Sequence, residues 1–233
     1  MKPDTVMIFA AGRGTRMREL TDDKPKPLIK TAGKALLDRA LELADQADIP
    51  RKFINTNYLA HMVETHLKDR TDVSICEEIG EALETGGGLK HALPLIDRET
   101  VFTLNPDAVW NGSNPLKVLG QHWCPAKMDA LLMLVPLNQA TGHKYRGDFN
   151  IDEQGKISRF DPEKGASFVY TGAQIMKTAP VENVPQSRFS FNLVWDQLIA
   201  KDRVFACLHD GGWADVGSPE GLAHADAIIQ VQT

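Results

Sequence analysis

The sequence predicts an α/β fold in which a mostly parallel central sheet lies between helical layers and the second half turns more antiparallel. Three observations predict it. Short apolar runs alternate with stretches of helical periodicity up to about residue 110, the pattern of βαβ units with right-handed crossovers. Those runs are apolar at successive positions, as strands buried on both faces must be. Past residue 110 the spacing changes to a hairpin and a long strand, which favours antiparallel pairing.

Taken in order, Val6-Met7-Ile8-Phe9 is the first strand and runs into Ala10-Ala11-Gly12. Leu36, Leu37, Ala40, Leu41, Ala44 and Ala47 fall at helical spacing, and Lys52-Phe53-Ile54-Asn55 is the second strand. Leu59, Met62, Val63, His66 and Leu67 lie along one helical face. Val73-Ser74-Ile75-Cys76 is a third strand, 88–95 a short helix, and Val101-Phe102-Thr103-Leu104 a fourth strand. The second half holds a strand over 131–135, a hairpin over 148–160 around Asp152-Glu153-Gln154-Gly155, and a long strand over 168–176 that carries Gly172. Phe191, Val194, Trp195, Leu198 and Ile199 mark a helix, 204–208 a strand and 219–230 a closing helix. Pro219 suits a first helical turn, where its missing N–H has no partner to lose. No repeat, low-complexity segment or linker interrupts the chain, so one domain over 1–233 is expected, with halves at 1–110 and 111–233.

Composition narrows the function classes. Hydrophobic residues make up 42% and charged residues 24%, an ordinary globular balance. The net charge is −5 and no Lys/Arg cluster is present, which argues against a nucleic-acid partner. Cys76, Cys124 and Cys207 are far apart and show no CxxC or Cys/His spacing, so neither a disulfide framework nor a zinc site is supported. The first apolar run is broken by Gly12 and Arg13 and is too short for a signal or membrane segment. A cytoplasmic protein without a membrane partner is the expectation.

The chemistry concentrates near the N-terminus. In Ala10-Ala11-Gly12-Arg13-Gly14-Thr15-Arg16-Met17 a strand gives way to small residues, two glycines and two arginines. Small residues let backbone N–H groups approach an anion closely, and guanidinium groups suit phosphate oxygens. No GK[ST] follows, and Met17 stands where a dinucleotide fingerprint has its third glycine, so neither a Walker A loop nor that fingerprint is present. Downstream, Lys24-Pro25-Lys26-Pro27-Leu28 is stiffened by two prolines, which favour extended backbone and aim the lysines. Asp107 follows a strand, and Asp215 lies in the turn Gly212-Trp213-Ala214-Asp215-Val216-Gly217; singly, either reads as a turn or cap residue. The histidines form no ligand pattern, since His61 and His66 do not share a helical face, and the four tryptophans read as packing residues.

Together these motifs resemble the sugar-1-phosphate nucleotidyltransferases. The resemblance implies their Rossmann-like three-layer sandwich, with a nucleotide-binding first half and a sugar-binding second half. It implies that Ala10, Ala11, Gly12, Gly14 and Thr15 hold the nucleotide, that Arg16 contacts the triphosphate, and that Lys26 contacts the reacting phosphate. Leu104-Asn105-Pro106-Asp107 and Trp213-Ala214-Asp215-Val216-Gly217 resemble the family's two aspartate elements, implying Asp107 and Asp215 as ligands of Mg²⁺. Pro106 departs from the small residue usual there and removes a backbone donor. Glu84-Thr85-Gly86-Gly87-Gly88 resembles the base-recognition loop, in the form found in N-acetylmuramate-1-phosphate uridylyltransferases, and assigns Thr85, Gly86 and Gly87 to the nucleotide. Gly147-Asp148-Phe149 and Tyr170-Thr171-Gly172 imply Asp148, Asn150 and Thr171 as sugar contacts. The partners implied are UTP and a sugar 1-phosphate, on a monomer or homodimer. Mannose 1-phosphate with GTP, or a non-catalytic sugar-nucleotide-binding subunit, are the other readings.

Overall fold

The computed structural model describes residues 2–143, 146–165 and 167–230. β1 (Thr5–Phe9) leads through the phosphate loop to a small antiparallel hairpin, β2 (Lys30–Thr31) and β3 (Lys34–Ala35). α1 (Leu36–Gln46) buries Leu36, Leu37, Ala40, Leu41 and Ala44, the face set by its periodicity. β4 (Arg51–Thr56), α2 (Ala60–Leu67) and β5 (Val73–Glu77) continue the alternation. α2 buries Ala60, Val63 and Leu67, whereas His66 is exposed with Nε2 2.6 Å from Asp38 Oδ1. α3 (Glu84–Ile96) begins earlier than the periodicity suggests, so Gly86, Gly87 and Gly88 lie inside its first turns. β6 (Thr100–Leu104) and β7 (Ala108–Trp110) precede α4 (Pro115–His122). The Asn114 side chain caps α4 by accepting from Leu116 N and Lys117 N, and Pro115 opens its first turn.

The second half contains β8 (Ala130–Pro136), β9 (Ala140–Thr141), the hairpin β10 (Phe149–Ile151) and β11 (Ile157–Arg159), and β12 (Phe168–Lys177). α5 (Ala179–Glu182), α6 (Phe191–Ile199), β13 (Val204–Leu208), β14 (Trp213–Asp215) and α7 (Pro219–Gln230) complete the described chain.

The large sheet runs β11-β10-β12-β6-β1-β4-β5, with β8 joining β12 to β13. β6, β1, β4 and β5 are mutually parallel, and β12 is antiparallel to β6, β8 and β10. Side chains alternate across a strand, so Val6 and Ile8 pack with Leu37, Leu41, Leu116 and Leu119 on one face. Met7 packs with Leu89, Ile96, Phe191 and Trp195 on the other. Helices therefore cover both faces, giving the three layers expected. A small second sheet, β7-β14-β9, stands beside the carboxyl end of β6.

Candidate active site

The carboxyl ends of β1, β4 and β6 open onto a cleft of 330 Å³, the place where open α/β sheets take ligands. Ala10, Ala11, Gly12, Gly14, Thr15 and Arg16 all line it. Gly14 has φ 66°, and a Cβ there would lie 2.8 Å from Lys26 Cβ. Glycine thus permits both the left-handed turn and the close approach of the lysine segment. Met17 anchors the loop in a buried cluster with Leu36, Val109 and Val216. On the far side the Tyr58 hydroxyl donates to Thr21 O and Asp22 O, and the Arg13 guanidinium lies over the Tyr58 ring. Ala10 N already donates to Asn55 Oδ1 at 2.8 Å, so Ala10 shapes the cleft with its donor engaged.

The segment Lys26–Leu28 is a single 3₁₀ turn between extended Pro25 and Ile29, not the continuous extended chain that two prolines suggest. Pro27 fits because a turn's early positions need no N–H. The turn buries Lys26, 9% exposed, while Lys24 stays exposed. Lys26 Nζ donates to Asp107 Oδ2 at 2.7 Å. Asp215 lies at the end of β14 rather than in a turn, with its register partner Ala108 adjacent to Asp107. Val216 N also donates to Asp107 O at 2.8 Å, which draws the two aspartates to one edge of the small sheet.

Their electrostatics differ. Burial would raise the Asp107 carboxyl, but the Lys26 charge and hydrogen bond, aided by Arg16, outweigh it and hold the group below its ordinary value. Burial raises the Asp215 carboxyl, the Asp107 charge raises it further, and Lys26, Arg16 and His143 oppose the rise only in part. Two carboxylates in each other's field, one of them reluctant to ionise, suit a hard cation between them. Among the described residues no group of three His, Cys, Asp or Glu side chains could hold a metal. Two carboxylate donors are nevertheless what Mg²⁺ takes when phosphate oxygens and water complete its shell.

A second cavity of 160 Å³ adjoins the first, lined by His143, Tyr170, Thr171, Gly172, Trp213 and Asp215. Arg16, Asn105 and Asp107 line both cavities. Burial pushes the Tyr170 phenol up, the Thr103 hydroxyl opposes this and the Asp107 charge adds to it, so Tyr170 stays a neutral hydrogen-bonding group.

The sugar contacts implied by the sequence divide. Thr171 lines the second cavity, but its hydroxyl donates to Met133 O and its carbonyl accepts from Trp213 Nε1. Asp148 Oδ2 accepts from Tyr170 N, Asn150 Oδ1 accepts from Asp161 N, and neither residue lines these cavities. Thr85 lines the cleft, and its Oγ1 accepts from Phe191 N at 3.1 Å. Gly86 and Gly87 face the chain, where a side chain would strike Phe189 and Ser187 O. Sequence reasoning missed Asn55, Asn105, His143, Tyr170 and Gly217 as lining residues. Asn105, Tyr170 and Gly217 sit inside motifs already singled out. For Asn55 the only signal was a polar residue ending an apolar strand.

Residues 5–232 match the family described as nucleotidyl transferase. The chain is similar to N-acetylmuramate alpha-1-phosphate uridylyltransferase of Caulobacter vibrioides, at 36% identity over 97% of each chain. It is 30% identical to the protein of that name in Neisseria meningitidis serogroup B, over 95% of this chain and 96% of the other. It is 26% identical to D-glycero-alpha-D-manno-heptose 1-phosphate guanylyltransferase of Campylobacter jejuni, over 94% and 96%. Among solved structures, HddC from Yersinia pseudotuberculosis complexed with GMP-PN shares the fold, with a TM-score of 0.77 at 23% identity over 97% and 99% of the two chains.

Proposed function

The chain belongs to the nucleotidyl transferase family, among the sugar-1-phosphate nucleotidyltransferases, and we propose that it joins UTP to N-acetylmuramate 1-phosphate with release of pyrophosphate. One observation carries the reading: the two cavities meet at Arg16, Asn105 and Asp107, beside the Lys26 ammonium. A triphosphate in the larger cavity and a sugar phosphate in the smaller would bring their phosphates together at that junction.

A sugar phosphate loses its second proton near about pH 6 and is largely a dianion at neutral pH. Its oxygen therefore needs no general base. That oxygen attacks the α-phosphorus of UTP, a new P–O bond forms, and the α–β bridging bond breaks with its electron pair leaving on pyrophosphate. Lys26 stabilises charge on the α-phosphoryl oxygens, and Arg16 the departing pyrophosphate. Asp107 and Asp215 would hold Mg²⁺, which supplies further neutralisation of the phosphate charge when bound. Catalysis is positioning and electrostatics in a site built before the substrates arrive. Within one domain, residues 1–110 serve the nucleotide and 111–233 mainly the sugar, with Thr171 as a backbone wall of the sugar pocket. The cellular role is cell-wall recycling in the cytoplasm.

The preference for UTP is supported by the two uridylyltransferase relatives, each more similar than the guanylyltransferase. Measuring kcat/KM for the four common triphosphates with N-acetylmuramate 1-phosphate tests it. UTP should lead. A GTP preference, paired with mannose 1-phosphate as the better acceptor, overturns the substrate assignment.

A further inference from the structure

At the floor of the cleft, which Asn55 lines, two polar side chains meet. Asn55 is the next-to-last residue of β4 and Glu78 follows β5, and each is 2% exposed. Asn55 Oδ1 accepts from Ala10 N at 2.8 Å, Asn55 Nδ2 donates to Glu78 Oε1 at 2.7 Å, and Glu78 Oε2 accepts from Leu83 N at 2.8 Å. Three bonds in series thus tie the loop after β1 to the start of α3. Those are the two walls of the larger cavity, which Ala10 and Ala11 line on one side and Ala82, Glu84 and Thr85 on the other. Asn57 Nδ2 holds the same segment from outside, donating to Glu78 O and Gly80 O.

Gly88 makes room for this pair. A Cβ there would lie 2.7 Å from Asn55 Nδ2 and 2.8 Å from Glu78 Oε1. A buried carboxylate is costly unless hydrogen-bonded, and an apolar pair of similar volume would serve packing at least as well. What an apolar pair could not do is fix two loop backbones at a set separation.

We infer that Asn55 and Glu78 are a nucleotide-positioning pair, setting the spacing between the phosphate loop and the Ala82–Glu84–Thr85 wall for the nucleoside. They act through those loops and touch no reacting atom. The inference deepens the proposed reaction and rests on the larger cavity taking a nucleoside triphosphate.

The polarity of the network supplies its test. Glu78→Gln turns an amide N–H₂ toward one of two donors, Asn55 Nδ2 or Leu83 N. Asn55→Asp sets carboxylate against carboxylate. The double swap restores all three bonds: the new carboxylate at 55 accepts from Ala10 N and from the new amide at 78, whose oxygen accepts from Leu83 N. The measurements are the Kd for UTP and for GTP by calorimetry with Mg²⁺ and no sugar phosphate, alongside KM for the sugar 1-phosphate. Each single variant should weaken nucleotide binding ~10- to 100-fold, the scale of one mismatched buried group, with sugar-phosphate KM unchanged. The double variant should return to within about threefold of wild type, on the same scale.

Single variants that bind nucleotide normally, a double variant no better than the worse single, or parallel loss of both substrates overturns the pair. If a single swap fails to fold, Gly88→Ala presses on the pair from the helix side and should raise the nucleotide Kd alone. An unchanged Kd there is equally contrary. Wild-type protein that binds neither triphosphate sinks the reaction class, whereas normal wild-type binding with unaffected variants sinks only the pair.

Discussion

At the edge of the large sheet where the parallel strands begin, away from the cleft, charges are paired with opposite charges. Lys52 and Arg70 both reach Asp45 and Asp72, Arg98 reaches Asp4, and Lys177 and Arg203 share Asp129. Where the parallel strands end, like charges are crowded instead. Burial and then the Asp107 charge leave the Asp215 carboxyl above its ordinary value, while Lys26 holds Asp107 below its own. The same side-chain chemistry stabilises the fold at one end and is held in reserve for a ligand at the other. Substitutions at the two ends should therefore separate activity from stability.

The largest effect should come from Asp215→Asn. Turnover should fall by ~10³-fold, the scale of several kcal/mol of lost charge stabilisation, while the melting temperature holds or rises because one of two like charges is gone. Asp107→Asn should cost similar turnover but also lower the melting temperature, since it strands the buried Lys26 ammonium. Pyrophosphate release and thermal melts on both variants check this, and a folded Asp215→Asn with normal turnover breaks the comparison.

Next comes Lys26→Ala, which should lower kcat by about a hundredfold with a smaller change in KM, as for a contact that strengthens in the transition state. Lys24→Ala should stay near wild type, because Lys24 is exposed. Steady-state kinetics on the pair decide it, and the reverse ranking would withdraw the role given to Lys26.

The smallest effect belongs to the far end. Asp72→Asn should cost about 1 kcal/mol after solvent screening and leave kcat unchanged. The Arg70 hydrogen bond holds Asp72 well below the usual carboxylate range, overcoming burial, with Lys52 adding to it. A depressed carboxylate contributes its stability above the unfolded value of 3.8 and loses it as pH falls through the folded value. Wild type should therefore lose this increment below about pH 4, and Asp72→Asn should show a flatter acid limb in melts against pH.

Much of this was legible in the chain. Strong periodicity gave β1, α1, β4 and α6 nearly to their ends, because each buries a continuous face. The loops between them carried less. β7 and β14 are three-residue strands with no pattern of their own, so Asp215 read as a turn residue. The glycines at 86–88 mark a close approach or an unusual turn, and only the resemblance made them a ligand loop. Here the approaching groups are Phe189, Ser187 O and the Asn55–Glu78 pair. Asp148 and Asn150 matched a motif whose polar atoms turn inward to backbone N–H groups. The phosphate loop drew notice by its small residues, glycines and arginines, whereas Lys26 and Asp107 came only with the resemblance: two stiffened lysines left the choice between Lys24 and Lys26 open, and Asp107 alone reads as a turn or cap residue.

The central claim is tested by following wild-type protein with UTP, N-acetylmuramate 1-phosphate and Mg²⁺ by ³¹P NMR and mass spectrometry of the products. The account predicts UDP-N-acetylmuramate and pyrophosphate in equal amounts, with both signals lost in Asp215→Asn. Release of orthophosphate or UMP without a sugar nucleotide would contradict it.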